Sequence, residues 1–191
     1  MTKQGGIMVY DWEVLNSQED KSCRIFTIRK DMAISPRTGK SHDFYVLESA
    51  PWVNVIPLTP TNQCVLIHQY RHGTREVTLE IPGGLVEQTD TPETAALREL
   101  QEETGYHGDD IHLIGQVHPN PAFLDNICYT YLVRGAIPSG SQDLDEKEDI
   151  EVELRPIEQI PDMIRDGTIT HSLVVSAFFF FFLKWYPFLG R

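Results

Sequence analysis

Basic residues are in short supply. Sixteen lysines and arginines stand against 28 aspartates and glutamates, so the 191-residue chain carries a formal charge of −12 at pH 7. Gripping a nucleic-acid backbone needs clustered cations; no nucleic-acid partner is expected. A small anionic substrate stays open, provided cations bridge it to the protein. Cysteine is scarcer still: Cys23, Cys64 and Cys128. An odd number, widely spaced and without CxxC, argues against a disulfide framework or a structural zinc site. Cys64 and Cys128 lie in apolar runs and are expected in the core, reduced. A long apolar run is also missing. Residues 173–183, broken by Ser176, reach about half of the ~20 residues that a membrane span needs. A buried last helix is expected, with no membrane partner. The opening MTKQGGIMVYDWEV lacks the apolar stretch of a signal peptide, which makes the cytoplasm the expected compartment. His68, His72, His107, His112, His118 and His171 show no metal-ligand spacing such as HExxH, and none is assigned a role.

What is present reads as alternating blocks. Residues 22–34 and 42–49 suggest two strands around the turn SPRTGK. Strands are expected at 52–58, 63–71 and 77–81, with the turn TPTN after the first of these. In TDTPETAALRELQEETGY, Thr91 suits an N-cap, Pro92 the first helical position and Glu93 the first turn. Ala95, Ala96 and Leu100 can face inward, and Gly105 is placed to end the helix. Strand-like runs follow at 111–118, 127–134 and 149–154, then a short helix in PIEQIPDMIRDG and a last helix at 172–185. This order suggests an α+β fold or an α/β/α sandwich, and not a Rossmann alternation. Residues 1–50 read as a small N-terminal β subdomain and 51–191 as the main domain. A two-stranded hairpin at 22–49 is too small to bury a core of its own. Ile25, Phe26, Ile28, Phe44, Tyr45, Val46 and Leu47 are apolar on both alternations, so cover is expected on both faces, one from a two-fold mate. A homodimer is therefore expected.

RELQEETG, residues 98–105, crowds Glu99, Glu102 and Glu103 onto one stretch of helix with no lysine nearby. Residues three or four apart share a face, and like charges there destabilise a helix by roughly 0.2–0.5 kcal/mol per pair. A solvated acidic face is one reading. The other is a metal site: Gly83 and Gly84 precede the helix, the acidic run DLDEKED (143–149) follows it, and carboxylate oxygens are what hard divalent cations prefer.

Gly84, followed at the family's spacing by Arg98, Glu99, Glu102, Glu103 and Gly105, resembles the Nudix box. One position departs: Asp90 stands where the family has glutamate, which touches helix capping and packing more than catalysis. QYRHGTREVTLEIPGGLVE (69–87), PNPAFLDN (119–126), with Pro121 as the branch's proline, and DEKEDIEV (145–152) resemble the branch that hydrolyses ADP-ribose and nucleoside diphosphate sugars. The resemblance implies a Nudix-type α/β/α sandwich with a mixed sheet, preceded by a small N-terminal β subdomain. It also implies an enzyme that cuts the pyrophosphate of a nucleoside diphosphate sugar, ADP-ribose, GDP-mannose or a similar compound, to a nucleoside monophosphate and a sugar phosphate. Mg²⁺ is the implied cofactor, with Mn²⁺ as a substitute.

By position in the motif, Glu99, Glu102 and Glu103 are the implied metal ligands, together with the carbonyl of Gly83. Arg98 is expected to orient a glutamate, and Glu146, with Glu148 second, to act as general base. Arg71 and Arg75 suit phosphates, although Arg75 suits a surface ion pair equally well. Glu80 is expected to support the Gly-Gly loop. Phe44, Tyr45 and Trp52 suit either base stacking or the core. Phe123 and Asp125 fall on the expected substrate loop. Two other functions stay open: hydrolysis of nucleoside triphosphates or dinucleotides, and a non-catalytic sugar-nucleotide sensor.

Overall fold

The computed structural model describes residues 9–184, so Trp185, expected in the last helix, lies outside the described residues. The chain forms two compact units. The first holds the residues up to Ser49 together with Asn120–Asp125, and the second the remainder. The division falls between Ser49 and Ala50, and Asn120–Asp125, part of the expected substrate loop, belong to the first unit.

The first unit is a three-stranded antiparallel sheet of β1 (Glu13–Ser22), β2 (Thr27–Ile34) and β3 (Ser41–Glu48), in that order. The expected hairpin is β2–β3. The single strand expected at 22–34 is instead broken at residues 23–26, where the Cys23 N–H bonds to the Phe26 carbonyl, and β1 runs back along β2. Every residue of β1 is exposed. One face carries a charged ladder: Asp31 accepts from Ser17 Oγ at 2.6 Å and from Arg29 Nε at 3.0 Å, and Arg29 also pairs with Glu48. Phe123 and Asp125 close the unit at its last strand. Leu47 N–H donates to the Phe123 carbonyl at 2.7 Å, and Ser49 N–H to Asp125 Oδ1 at 3.2 Å.

The second unit is built on a seven-stranded mixed sheet. Its elements are β4 (Trp52–Leu58), β5 (Gln63–Arg71), β6 (Glu76–Glu80), β7 (Gly83–Leu85), α1 (Pro92–Thr104), β8 (Tyr106–His107), β9 (Asp110–Val117), β10 (Cys128–Arg134), β11 (Ile137–Pro138), β12 (Ile150–Pro156), a 3-10 turn (Ile157–Gln159), α2 (Ile160–Arg165) and α3 (Ser172–Lys184). The order is β12-β5-β4-β10-β9, with β6 on β5 and β7 on β4, while β8 and β11 pair separately. Only β10 and β4 run parallel among the sheet's pairs.

Strand alternation sorts the core into two layers. Val53, Val55, Tyr131 and Val133 meet Ala95, Ala96 and Leu100 of α1 on one face. Ile56, Leu58, Leu66 and Leu132 meet Ile160, Val174, Ala177, Phe178 and Phe181 on the other. Phe178 and Phe181 thus form a buried helix face while Phe179 is exposed, and no described helix is long and apolar enough to cross a membrane. Cys64 and Cys128 are buried, and all three cysteines are free.

Helix α1 begins and ends where its local chemistry dictates. Thr91 accepts from Thr94 N–H, and Thr94 Oγ1 accepts from Thr91 N–H, which closes a capping box. Gly105 ends the helix at φ 71°, a left-handed conformation that costs glycine nothing. Thr91→Ala should lower stability by about 1 kcal/mol in urea unfolding; an unchanged midpoint would mean that the cap is redundant.

Candidate active site

Helix α1 lays its acidic side against β7. Glu99 is 9% exposed and Glu103 2%, so the solvated-face reading fails for both, and only Glu102 is partly open. Gly84 allows the approach, since a Cβ there would lie 2.4 Å from Glu99 Oε1, whereas a Cβ on Gly83 would lie 2.2 Å from the Val53 carbonyl of β4. Gly83 N–H donates to Glu103 Oε2 at 2.8 Å.

Arg98 gathers the charges around it. Its Nη1 donates to Glu99 Oε1 at 3.0 Å and to Glu102 Oε2 at 2.8 Å, its Nε to Asp90 Oδ2 at 3.0 Å, and its Nη2 to the Leu85 carbonyl at 3.1 Å. Asp90 also accepts from Thr94 Oγ1 at 3.4 Å. At this departure from the box, the shorter Asp90 still reaches Arg98, which also bonds to two glutamates. Burial opposes the charge of Arg98, but its carboxylate neighbours outweigh burial and raise its pKa.

The buried glutamates resist ionisation. Burial first, and then neighbouring carboxylates including Glu148, push Glu99 up to about 7 and Glu103 up to about 8, against the help of Arg98 for the former and of Gly83 for the latter. A divalent cation reverses this balance. The donor set therefore fits one, with Glu99, Glu102 and Glu103 as oxygen donors of the type that hard cations take. Among the described residues, no three acidic, imidazole or thiolate side chains close into a cation cage; Arg98 and Gly83 hold the carboxylates instead.

The acidic loop is tied to the end of α1. Asp143 N–H donates to the Glu102 carbonyl at 2.9 Å, and Gln142 Nε2 donates to the carbonyls of Glu103 at 2.6 Å and Ile150 at 3.1 Å. Glu148 is half-buried, and its charge reaches both Glu99 and Glu103, whereas Glu146 is exposed.

A second polar group lies on β5 and β6. Arg71 Nε and Nη2 donate to Glu80 Oε1 and Oε2, each at 2.7 Å, and Thr78 Oγ1 donates to Glu80 Oε1 at 2.6 Å. Arg71 lies in the electrostatic reach of Glu103. Arg75 is exposed at the hairpin tip with φ 61° and forms no ion pair among the described residues. Trp52 is half-buried on β4. In the first unit, Phe44 is partly exposed and packs edge-on to Trp12 at 5.2 Å. Phe123 is exposed there, and Asp125 accepts a backbone bond.

Sequence reasoning passed over Thr78 and His171. The alternation in TLEI puts Thr78 and Glu80 on one face and Leu79 and Ile81 on the other, a signal that was available. His171 had none. Its Nδ1 is buried without a partner, and burial lowers its pKa, helped by Arg71 and opposed by Glu80. The unfolded chain therefore takes up a proton that the native chain refuses as pH falls from 6.5 through the depressed native value. Stability is full above that window and is lost on descending through it. Urea unfolding at about pH 7.5 and about pH 5.5 should show a smaller loss in His171→Gln than in wild type; equal losses would remove His171 from the account.

The Nudix domain family matches residues 49–176. An ADP-ribose pyrophosphatase of Bacillus subtilis is 31% identical over 115 residues, 60% of this chain and 62% of that protein. A methanol dehydrogenase activator of Bacillus methanolicus is 26% identical over 170 residues, 88% of this chain and 91% of that protein. A crystal structure of an ADP compounds hydrolase superposes with a TM-score of 0.81 at 22% identity, covering 96% of this chain and 98% of that one, and so shares the fold. With the box residues in place on α1 and the family matched across most of the sheet, the chain belongs to the Nudix hydrolase family.

Proposed function

We propose that the protein hydrolyses the pyrophosphate of a nucleoside diphosphate sugar, with ADP-ribose the first compound to try, releasing a nucleoside monophosphate and a sugar phosphate. The observation that carries this reading is the burial of Glu99 and Glu103 against a glycine pair, within reach of the Glu148 charge. The B. subtilis relative's name supports the substrate class. Glu99, Glu102, Glu103 and the Gly83 carbonyl would hold Mg²⁺, or Mn²⁺ in its place. When bound, the cation supplies positive charge to the pyrophosphate oxygens and lowers the pKa of water.

The chain's own groups do the rest. Arg98 fixes the directions of Glu99 and Glu102. A carboxylate of the acidic loop takes the proton of the attacking water as its oxygen bonds to phosphorus and the bridging P–O bond breaks. Motif position favours Glu146 for this role, and location favours Glu148, which we prefer. Arg71 holds a phosphate. Trp52 and Arg75 of the second unit are left for the nucleoside and sugar, while Phe44, Phe123 and Asp125 belong to the first unit. The free cysteines suit a reducing compartment, the cytoplasm.

ADP-ribose, ADP-glucose, GDP-mannose, UDP-glucose and nucleoside triphosphates, assayed with Mg²⁺, test the substrate class. Glu103→Gln should abolish turnover while circular dichroism stays unchanged; activity within about threefold of wild type would sink the metal-ligand role. Glu148→Gln should slow the reaction by about 10²–10⁴ with Glu146→Gln near wild type, and the opposite pattern would return the role to Glu146.

We further infer a homodimer formed through the first unit. Val14, Leu15, Ile25, Phe44 and Tyr45 are exposed there, and β1 has no covered residue. Light scattering at micromolar protein should give twice the 21.8 kDa chain mass. A fully active monomer would rule this assembly out.

A further inference from the structure

Glu80 is 2% exposed, and burying a carboxylate is costly unless it is paired and hydrogen-bonded. Its pairing is unusual in direction. The residue opposite Glu80 on β5 is Ile67, whereas Arg71 stands opposite Glu76 at the far end of the hairpin. Four residues of strand, about 13 Å, separate those positions. The Arg71 side chain therefore runs back along the strand, over Gln69 and Thr78, to meet Glu80. Without that carboxylate, an arginine beside a hairpin tip extends into water. With it, the guanidinium is drawn towards the α1 carboxylates, where Glu103 feels its charge.

The donor count shows what remains. Of the five N–H groups of an arginine, Nε and one on Nη2 are taken by Glu80. Among the described residues nothing takes the other three, and the side chain is 39% exposed. A planar fork with one edge fixed and the other open suits a doubly anionic group. Thr78 locks the other partner, since its hydroxyl donates to the same Glu80 oxygen as Arg71 Nε.

We propose that Glu80 is a positioning residue, which holds Arg71 so that its open edge receives the pyrophosphate of the substrate. This rests on the reading of the site as a pyrophosphatase. A merely structural clamp would stabilise the β5–β6 hairpin and leave substrate binding alone.

Steady-state kinetics on ADP-ribose with Mg²⁺ separate the two. Glu80→Gln and Arg71→Lys should each raise KM by about tenfold or more, with kcat within about threefold. The double variant should be no worse than the poorer single variant, because both break one contact. A lowered melting temperature with KM within about twofold of wild type would overturn the proposal. Should Glu80→Gln fail to fold, Thr78→Val loosens the same clamp and should raise KM to a lesser degree; an unchanged KM there would also overturn it. Calorimetry with inorganic pyrophosphate and Mg²⁺ keeps this separate from the substrate assignment. If wild type leaves ADP-ribose intact, that assignment fails; pyrophosphate binding about tenfold weaker in Glu80→Gln still supports the clamp, and equal binding or none in wild type rejects it.

Discussion

Two carboxylates buried in one helix face set the terms for the rest of the second unit. Glu99 and Glu103 cannot be left ionised without compensation in a low-dielectric interior. The structure answers with three kinds of positive partner: a backbone N–H at Gly83, the fork of Arg98, and the more distant charge of Arg71. Each requires a feature elsewhere. Gly83 offers its N–H to Glu103, and Gly84 has no side chain to fend off Glu99. Arg98 needs Asp90, and Asp90 is held beside the capping box that starts the helix. Despite these partners the two carboxylates stay above their ordinary pKa, a balance that a bound divalent cation would reverse.

The sheet is arranged to bring those parts together. The two faces of β4 and β10 feed separate cores, so α1 packs on one side without competing with the phenylalanine-rich α3 on the other. With β6 on β5 and β7 on β4, Glu80 and Gly83 stand only three residues apart while serving different partners, one Arg71 and the other Glu103. Alternation decides the division: Leu79 and Ile81 go to the α3 core, Thr78 and Glu80 to the polar side.

Much of this was legible because it is local. Thr91, Pro92 and Gly105 mark α1 by the chemistry of helix ends, and Glu99 and Glu103 mark its acidic face by spacing alone. Strand β1 was not legible: EVLNSQEDKS has no alternation, every residue is exposed, and its conformation is fixed by pairing with β2. The break at residues 23–26 carries no Gly, Pro or Asn-Gly signal, which is why one long strand was expected. Asn120–Asp125 joined the first unit through backbone bonds to Leu47, which no side-chain pattern announces. Motif position ranks Glu146 before Glu148, but the greater burial of Glu148 is not visible in the sequence, because it depends on how the loop is tied at Gln142 and Asp143. The arginine–glutamate pair on β5 and β6 joins residues nine apart across a hairpin, a diagonal that periodicity does not reveal.

The ties at Gln142 have a consequence for how such an enzyme can change over generations. One amide group pins both ends of the acidic segment, to the last turn of α1 and to the first residue of β12. What lies between is a closed arc with fixed feet. Lengthening such an arc costs little, since closure entropy grows only with the logarithm of length. Insertions and deletions between the feet can therefore alter how far its carboxylates reach while sheet and helix stay undisturbed.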